Sequence, residues 1–176
     1  RDLGPIQTLY IGGGTPLLLQ MSQYQKIWQA LRQYTDLSSK AEITIEANPG
    51  GSIEPPEHYL DLGVNRISVG IQSLHDKELK KLSRIHTTQE AKDFIHGLKQ
   101  VGYQNISIDL MYGIPNQTMA TWTETLQKAI ELEVQHISMY GLKVETKTPL
   151  ARLVQTGAYP LPTDELTVEM YYQALK

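Results

Sequence analysis

Short β-rich runs alternate with amphipathic segments along the whole chain, and this alternation restricts the fold more than any other feature. The runs are Gln7–Ile11, Glu42–Ala47, Arg66–Gln72, Asn105–Met111 and His136–Gly141. The first intervening helix reads as capped by Ser22 with Gln25 in a capping box. Its apolar stripe is Tyr24, Ile27, Trp28 and Leu31, the spacing of one helical face. A second helix is expected over Glu57–Leu62, ending at Gly63, and a short one over Asp76–Leu82. A longer helix begins after Thr87, with Glu90 completing its capping box, and directs Ala91, Phe94, Ile95, Leu98 and Val101 to the core. Segments near Thr121–Leu132, at Pro149–Gln155 and from Asp164 onward complete the helical set.

Strands separated by helices must pair in parallel, because the crossover returns the chain to the same end of the sheet. Two architectures satisfy this: a doubly wound sheet, or a closed or partial (β/α) barrel. The strand onsets fall at residues 7, 42, 66, 105 and 136, too unevenly for a solenoid. A length of 176 residues suits one domain over the whole range. In a partial barrel lacking its first strand, the Gln7–Ile11 strand is expected to carry an unpaired edge, which a closed barrel or a covering segment would remove.

Charge and cysteine usage exclude several functions. Lys and Arg number 16 against 19 Asp and Glu, a net charge of −3 without the clustered basic residues of a nucleic-acid footprint. The apolar runs, such as Pro16–Leu19, are too short to cross a bilayer. The chain has no cysteine, hence no disulfide, no thiolate metal site and no cysteine nucleophile of its own. That composition suits a reducing cytoplasm.

Both architectures gather function at the C-terminal ends of the strands. The first run ends in Gly12-Gly13-Gly14-Thr15-Pro16, the second carries Glu46, the third ends at Gln72 and the fourth holds Asp109. The last ends at Tyr140-Gly141. The glycines match neither a phosphate-binding nor a dinucleotide-binding loop; bare backbone there serves either a tight turn or the close approach of a ligand. Glu46 and Asp109 interrupt apolar runs and are expected to be partly buried, where each needs donors or a cation. Taken singly, either reads as an internal salt bridge; together at one rim they equally suit a ligand site. The five histidines show no metal-ligand spacing, and only His86, beside Arg84, lies where a site role is in question. Lys80 and Lys81 read as a solvated helix face.

As a set, TLYIGGGTP, TIEANPG, GVNRISVGIQS, LSRIHT, IDLMYGIPNQT and HISMYGLKVETKTPL resemble the radical S-adenosylmethionine (radical SAM) superfamily. More narrowly they are similar to the oxygen-independent coproporphyrinogen III oxidases and the HemW-type heme chaperones. EANPG and GLKVETKTPL look more like the chaperone branch. The resemblance implies a partial (β/α) barrel of parallel strands, with residues 1–176 forming one partial core domain whose first strand and C-terminal domain lie outside the chain.

It also implies roles. Gly12, Gly13, Gly14 and Thr15 belong to the loop whose backbone receives the ammonium of S-adenosylmethionine, and Glu46 faces that ammonium. Arg84 clamps the methionine carboxylate, where a planar fork suits two oxygens. Gln72 and Asp109 hold the ribose hydroxyls, and Tyr140 to Leu142 pass the adenine. A [4Fe–4S] cluster is implied too, its cysteine triad expected upstream of Arg1. Heme or a porphyrinogen becomes the expected small-molecule ligand, and a client protein that accepts heme the expected partner. Three functions follow: a heme chaperone, a porphyrinogen oxidase acting through a 5′-deoxyadenosyl radical, or an unrelated (β/α) domain binding a phosphorylated metabolite. Against the last, no basic residue follows the glycine turn.

Overall fold

The computed structural model describes residues 4–52 and 54–176. Five strands, β1 (Ile6–Ile11), β2 (Leu37–Ala47), β3 (Arg66–Gln72), β4 (Ile106–Tyr112) and β5 (His136–Gly141), form one sheet in the order β1-β2-β3-β4-β5. Every neighbouring pair is parallel. The helices are α1 (Met21–Tyr34), α2 (Pro56–Asp61), α3 (Asp76–Lys81), α4 (Thr88–Val101), α5 (Met119–Glu131), α6 (Pro149–Gln155) and α7 (Asp164–Ala174). The sheet curls into a half-barrel with helices around it, the expected partial barrel.

The alternation within each strand decides which face turns inward. One face carries Ile43, Ile45, Ala47, Ile67, Val69, Ile71, Ile106, Ile108 and Leu110, all buried. Against them pack Tyr24 and Trp28 of α1, Ile95 and Leu98 of α4 and Trp122 of α5. Burying each such aliphatic side chain contributes about 1.5–3 kcal/mol before the entropy of ordering the chain is counted. The two buried indoles also find acceptors: Trp28 Nε1 donates to the Leu62 carbonyl at 2.7 Å and Trp122 Nε1 to the Met170 carbonyl at 2.8 Å. The opposite face is polar. Register aligns Glu46 with Ser68, Ser68 with Ser107 and Ser107 with His136, while Gly70, Asp109 and Ser138 form the next row. This polar wall lines the inside of the half-barrel.

β3, β5 and α6 have the bounds expected from sequence, and α4 is capped by Thr87 and Glu90 as read. Elsewhere the structure corrects the reading. α1 starts earlier: its cap is Gln20, whose backbone N–H donates to Gln23 Oε1 at 2.8 Å, not Ser22 with Gln25. Ile27 of the expected stripe is exposed. β2 begins at Leu37 instead of Glu42, because an irregular stretch pairs Ile6 of β1 with Leu37 before regular register starts at Thr8–Glu42. Lys80 is exposed as read, but Lys81 is half-buried and held: its ammonium donates to the Pro115 carbonyl at 3.0 Å and to Asn116 Oδ1 at 2.7 Å.

Candidate functional site

A polar cleft of about 200 Å³ opens at the C-terminal ends of the strands, lined by Gly14, Glu46, Ala47, Asn48, Ser68, Gly70, Gln72, Arg84 and Asp109. Five of the residues singled out from sequence therefore share one cavity: Gly14, Glu46, Gln72, Arg84 and Asp109. They come from β1's following turn, β2, the end of β3, the segment after α3, and β4. Three crossovers, from β1 to β4, bring them together.

At the β1 end, Gly13 and Gly14 adopt φ of 88° and 65°, which a side chain would strain, and turn the chain sharply over the strand end. The turn aims the Gly13 N–H at Glu46 Oε2, 3.0 Å away, while the Tyr10 hydroxyl donates to Oε1 at 2.9 Å. Gly12 is required for space: a Cβ there would lie 2.7 Å from the Tyr10 ring and 2.8 Å from the Glu46 carboxylate. Burial first, then Glu46, raises the Tyr10 pKa, so this hydroxyl stays a donor at neutral pH. Glu46 is partly buried, as expected, and holds two donors, with no ion pair to a cation among the described residues.

At the other end stands Arg84. Its Nη1 donates to Asn48 Oδ1 at 3.0 Å, and among the described residues it forms no ion pair with a carboxylate. Burial pulls its pKa down, with the charge of Asp109 acting the other way. Gln72 closes the floor. It is 6 % exposed with φ of 70°, and its Oε1 is buried without a hydrogen bond from the described residues. A non-glycine residue held in the left-handed region with an orphaned acceptor is a strained arrangement that suits a missing donor. Asp109, also partly buried, interacts with the Tyr140 hydroxyl, and burial followed by this interaction raises the Tyr140 pKa.

Five sequence-derived residues sit outside the cleft lining; two of them, Gly13 and Tyr140, meet it through Glu46 and Asp109. Thr15 borders a neighbouring groove that shares Asn48 and Arg84 with it. Gly12 lies beneath Tyr10 and Glu46. Leu142 is tied by its backbone N–H to the Tyr112 carbonyl at 2.8 Å and does not line the cleft. His86 is buried, with Nε2 3.3 Å from the Ile71 carbonyl; burial lowers its pKa, and it borders the groove, not the cleft. Sequence reasoning passed over Asn48, Ser68, Gly70 and Tyr10. A signal existed for two of them: Gly70 interrupts a strand, and Tyr10 precedes Gly12 by one strand period.

The cleft thus has acceptors at one end, a cation with unspent donors at the other, and an orphaned amide oxygen between. Residues 1–129 match the radical SAM superfamily. The chain belongs to this superfamily. Membership implies S-adenosylmethionine and a [4Fe–4S] cluster. A HemW heme chaperone from Lactococcus lactis is 37 % identical over 171 residues, covering 97 % of this chain and 45 % of that protein. A mitochondrial radical S-adenosyl methionine domain-containing protein 1 from Bos taurus is 36 % identical over 169 residues, covering 96 % of this chain and 38 % of the relative. The structure of coproporphyrinogen III oxidase (HemN) from Escherichia coli, a radical SAM enzyme, superposes with a TM-score of 0.84 at 26 % identity, over 96 % of this chain and 39 % of that one. This radical SAM chain therefore spans less than half the length of these relatives. Among the described residues no helix is long and apolar enough to cross a membrane.

The side chains fit one half of the implied pair. An amino-acid zwitterion joined to a ribose needs acceptors, a cation and a diol partner at separate points, and the cleft offers each. They do not fit the other half: the chain has no cysteine, so it supplies no thiolate to an iron–sulfur cluster.

Proposed function

We propose that this chain is the S-adenosylmethionine-holding core of a HemW-type heme chaperone. The observation that carries the reading is the gathering of Gly14, Glu46, Gln72, Arg84 and Asp109 around one cleft. In it Glu46 and the glycine turn receive the ammonium, and Arg84 receives the methionine carboxylate through its free donors. Asp109 and the orphaned Gln72 oxygen accept from the ribose hydroxyls. Tyr140 and Leu142, at the end of β5, border the adenine. When bound, the cosubstrate and a cluster held by residues outside this chain supply one-electron chemistry; the residues here orient the ligand and exclude water from it. Heme is the small-molecule ligand in this reading, and a client protein its acceptor. The setting is cytoplasmic, with the mitochondrial name of the bovine relative standing as the alternative.

The second reading, a coproporphyrinogen III oxidase, draws on the HemN superposition. Full-length protein, loaded with its cluster under argon, separates the two. The chaperone reading expects tight heme binding without turnover; conversion of coproporphyrinogen III to protoporphyrinogen IX would overturn it. For the cleft itself, Glu46→Ala and Arg84→Ala should each weaken S-adenosylmethionine binding at least about thirtyfold in equilibrium dialysis, since each leaves one ligand charge unmatched. Unchanged affinity in either variant removes that residue from the site.

A further inference from the structure

Asn48 holds Arg84 in place, and it does so without a charge. The residue follows β2 directly and precedes Pro49. Its Oδ1 accepts from Arg84 Nη1 at 3.0 Å. The next strand leaves room for this contact: a Cβ on Gly70 would lie 3.0 Å from Asn48 Oδ1 and 3.0 Å from Gln72 Nε2. A larger residue at position 70 would displace the amide that holds the arginine and the one that closes the cleft floor. Asn48 also stands between the cleft and the neighbouring groove, so the guanidinium it holds borders both.

The choice of amide has a physical consequence. A guanidinium on a flexible stem needs an acceptor to fix its fork, and a carboxylate would be the stronger one. A carboxylate would also cancel the positive charge. Arg84 is partly buried and makes no ion pair among the described residues, so its charge remains available to an anionic ligand group. We propose that Asn48 is a positioning residue for Arg84, a neutral acceptor that fixes the guanidinium while preserving its charge for the ligand's carboxylate. The proposal rests on the S-adenosylmethionine reading of the cleft.

The test compares S-adenosylmethionine with its decarboxylated analogue, which lacks only the group Arg84 is to receive. Both are titrated into full-length, cluster-loaded protein by equilibrium dialysis, with circular dichroism as the check on folding. The wild type is expected to favour the carboxylate-bearing ligand at least about thirtyfold. Asn48→Ala should reduce that preference about fivefold to tenfold while leaving affinity for the decarboxylated ligand within about twofold, because only one hydrogen bond to a charged group is lost. Asn48→Asp should reduce the preference further, toward equality, although it is the closer steric match. A merely structural role for Asn48 moves both ligands together and places Asp above Ala. A wild-type preference retained in both variants, or equal losses for the two ligands, would overturn the proposal. A wild type that binds S-adenosylmethionine without favouring it over the analogue would instead overturn the carboxylate assignment of Arg84, and absence of binding would overturn the reading of the cleft.

Discussion

Glu78 and Glu46 are both withdrawn from solvent in this half-barrel, and they are satisfied in opposite ways. Glu78, in α3 and only 3 % exposed, accepts from Ser73 Oγ at 2.6 Å, Gln117 Nε2 at 3.0 Å and Thr121 Oγ1 at 2.7 Å. Three segments converge on it, and none of its contacts reaches the cleft. Glu46 accepts from one backbone N–H and one tyrosine hydroxyl, and it opens onto a cavity. Burial is greater in the first and spare capacity greater in the second. A carboxylate enclosed by donors from the protein ties elements together; one left short of donors beside a cleft has capacity for a ligand.

That contrast can be broken at several points. Glu78→Ala leaves three buried donors unmatched and should cost about 3 kcal/mol of stability in urea unfolding. The folded fraction should bind S-adenosylmethionine as the wild type does, and a loss of affinity at constant stability would erase the distinction. Gly12→Ala tests the other side. Its Cβ meets side chains, not backbone, so Tyr10 and Glu46 should yield and the fold survive. We expect a stability change within about 1 kcal/mol and a loss of binding of about tenfold, each read on the same preparation. An unfolded variant would show that Glu46 is as structural as Glu78.

The smallest expected effect concerns His86, which is buried but borders only the groove. Burial depresses its folded pKa below the ordinary 6.5. The unfolded chain therefore binds the proton more readily, and stability present above pH 6.5 is lost as the pH falls through the folded value. His86→Gln should flatten this part of the stability profile below neutrality in urea titrations. A variant with the wild-type slope would show that other groups carry the acid dependence.

The elements of this fold were legible wherever side-chain pattern alone decides them. β3 is closed in on both faces and bounded by turns, and β5 ends at a glycine, so both could be read to the residue. The early start of β2 could not, because Ser38, Ser39 and Lys40 lie in the irregular stretch between the Leu37 and Glu42 pairings with β1 and carry no apolar alternation. The cap of α1 was hidden for a related reason: Gln20 is an uncommon capping residue, and its partner Gln23 identifies it only once the backbone is bent there. In the cleft, Glu46, Gln72 and Asp109 stood out as polar residues among apolar neighbours. Asn48 did not, because asparagine before proline already reads as a turn, and its second task depends on Arg84, 36 residues away.

The sheet follows chain order from first strand to last, so each strand docks on one already synthesised. On the ribosome the half-barrel can grow one βα unit at a time, without waiting for a distant partner to emerge. The same ordering exposes a moment of risk. A nascent chain halted after β3 presents the edge that β4 is to occupy, bearing Ile67 and Val69, to any other strand in reach. That edge stands open from the emergence of residue 72 until that of residue 106, the interval in which α3 and α4 appear.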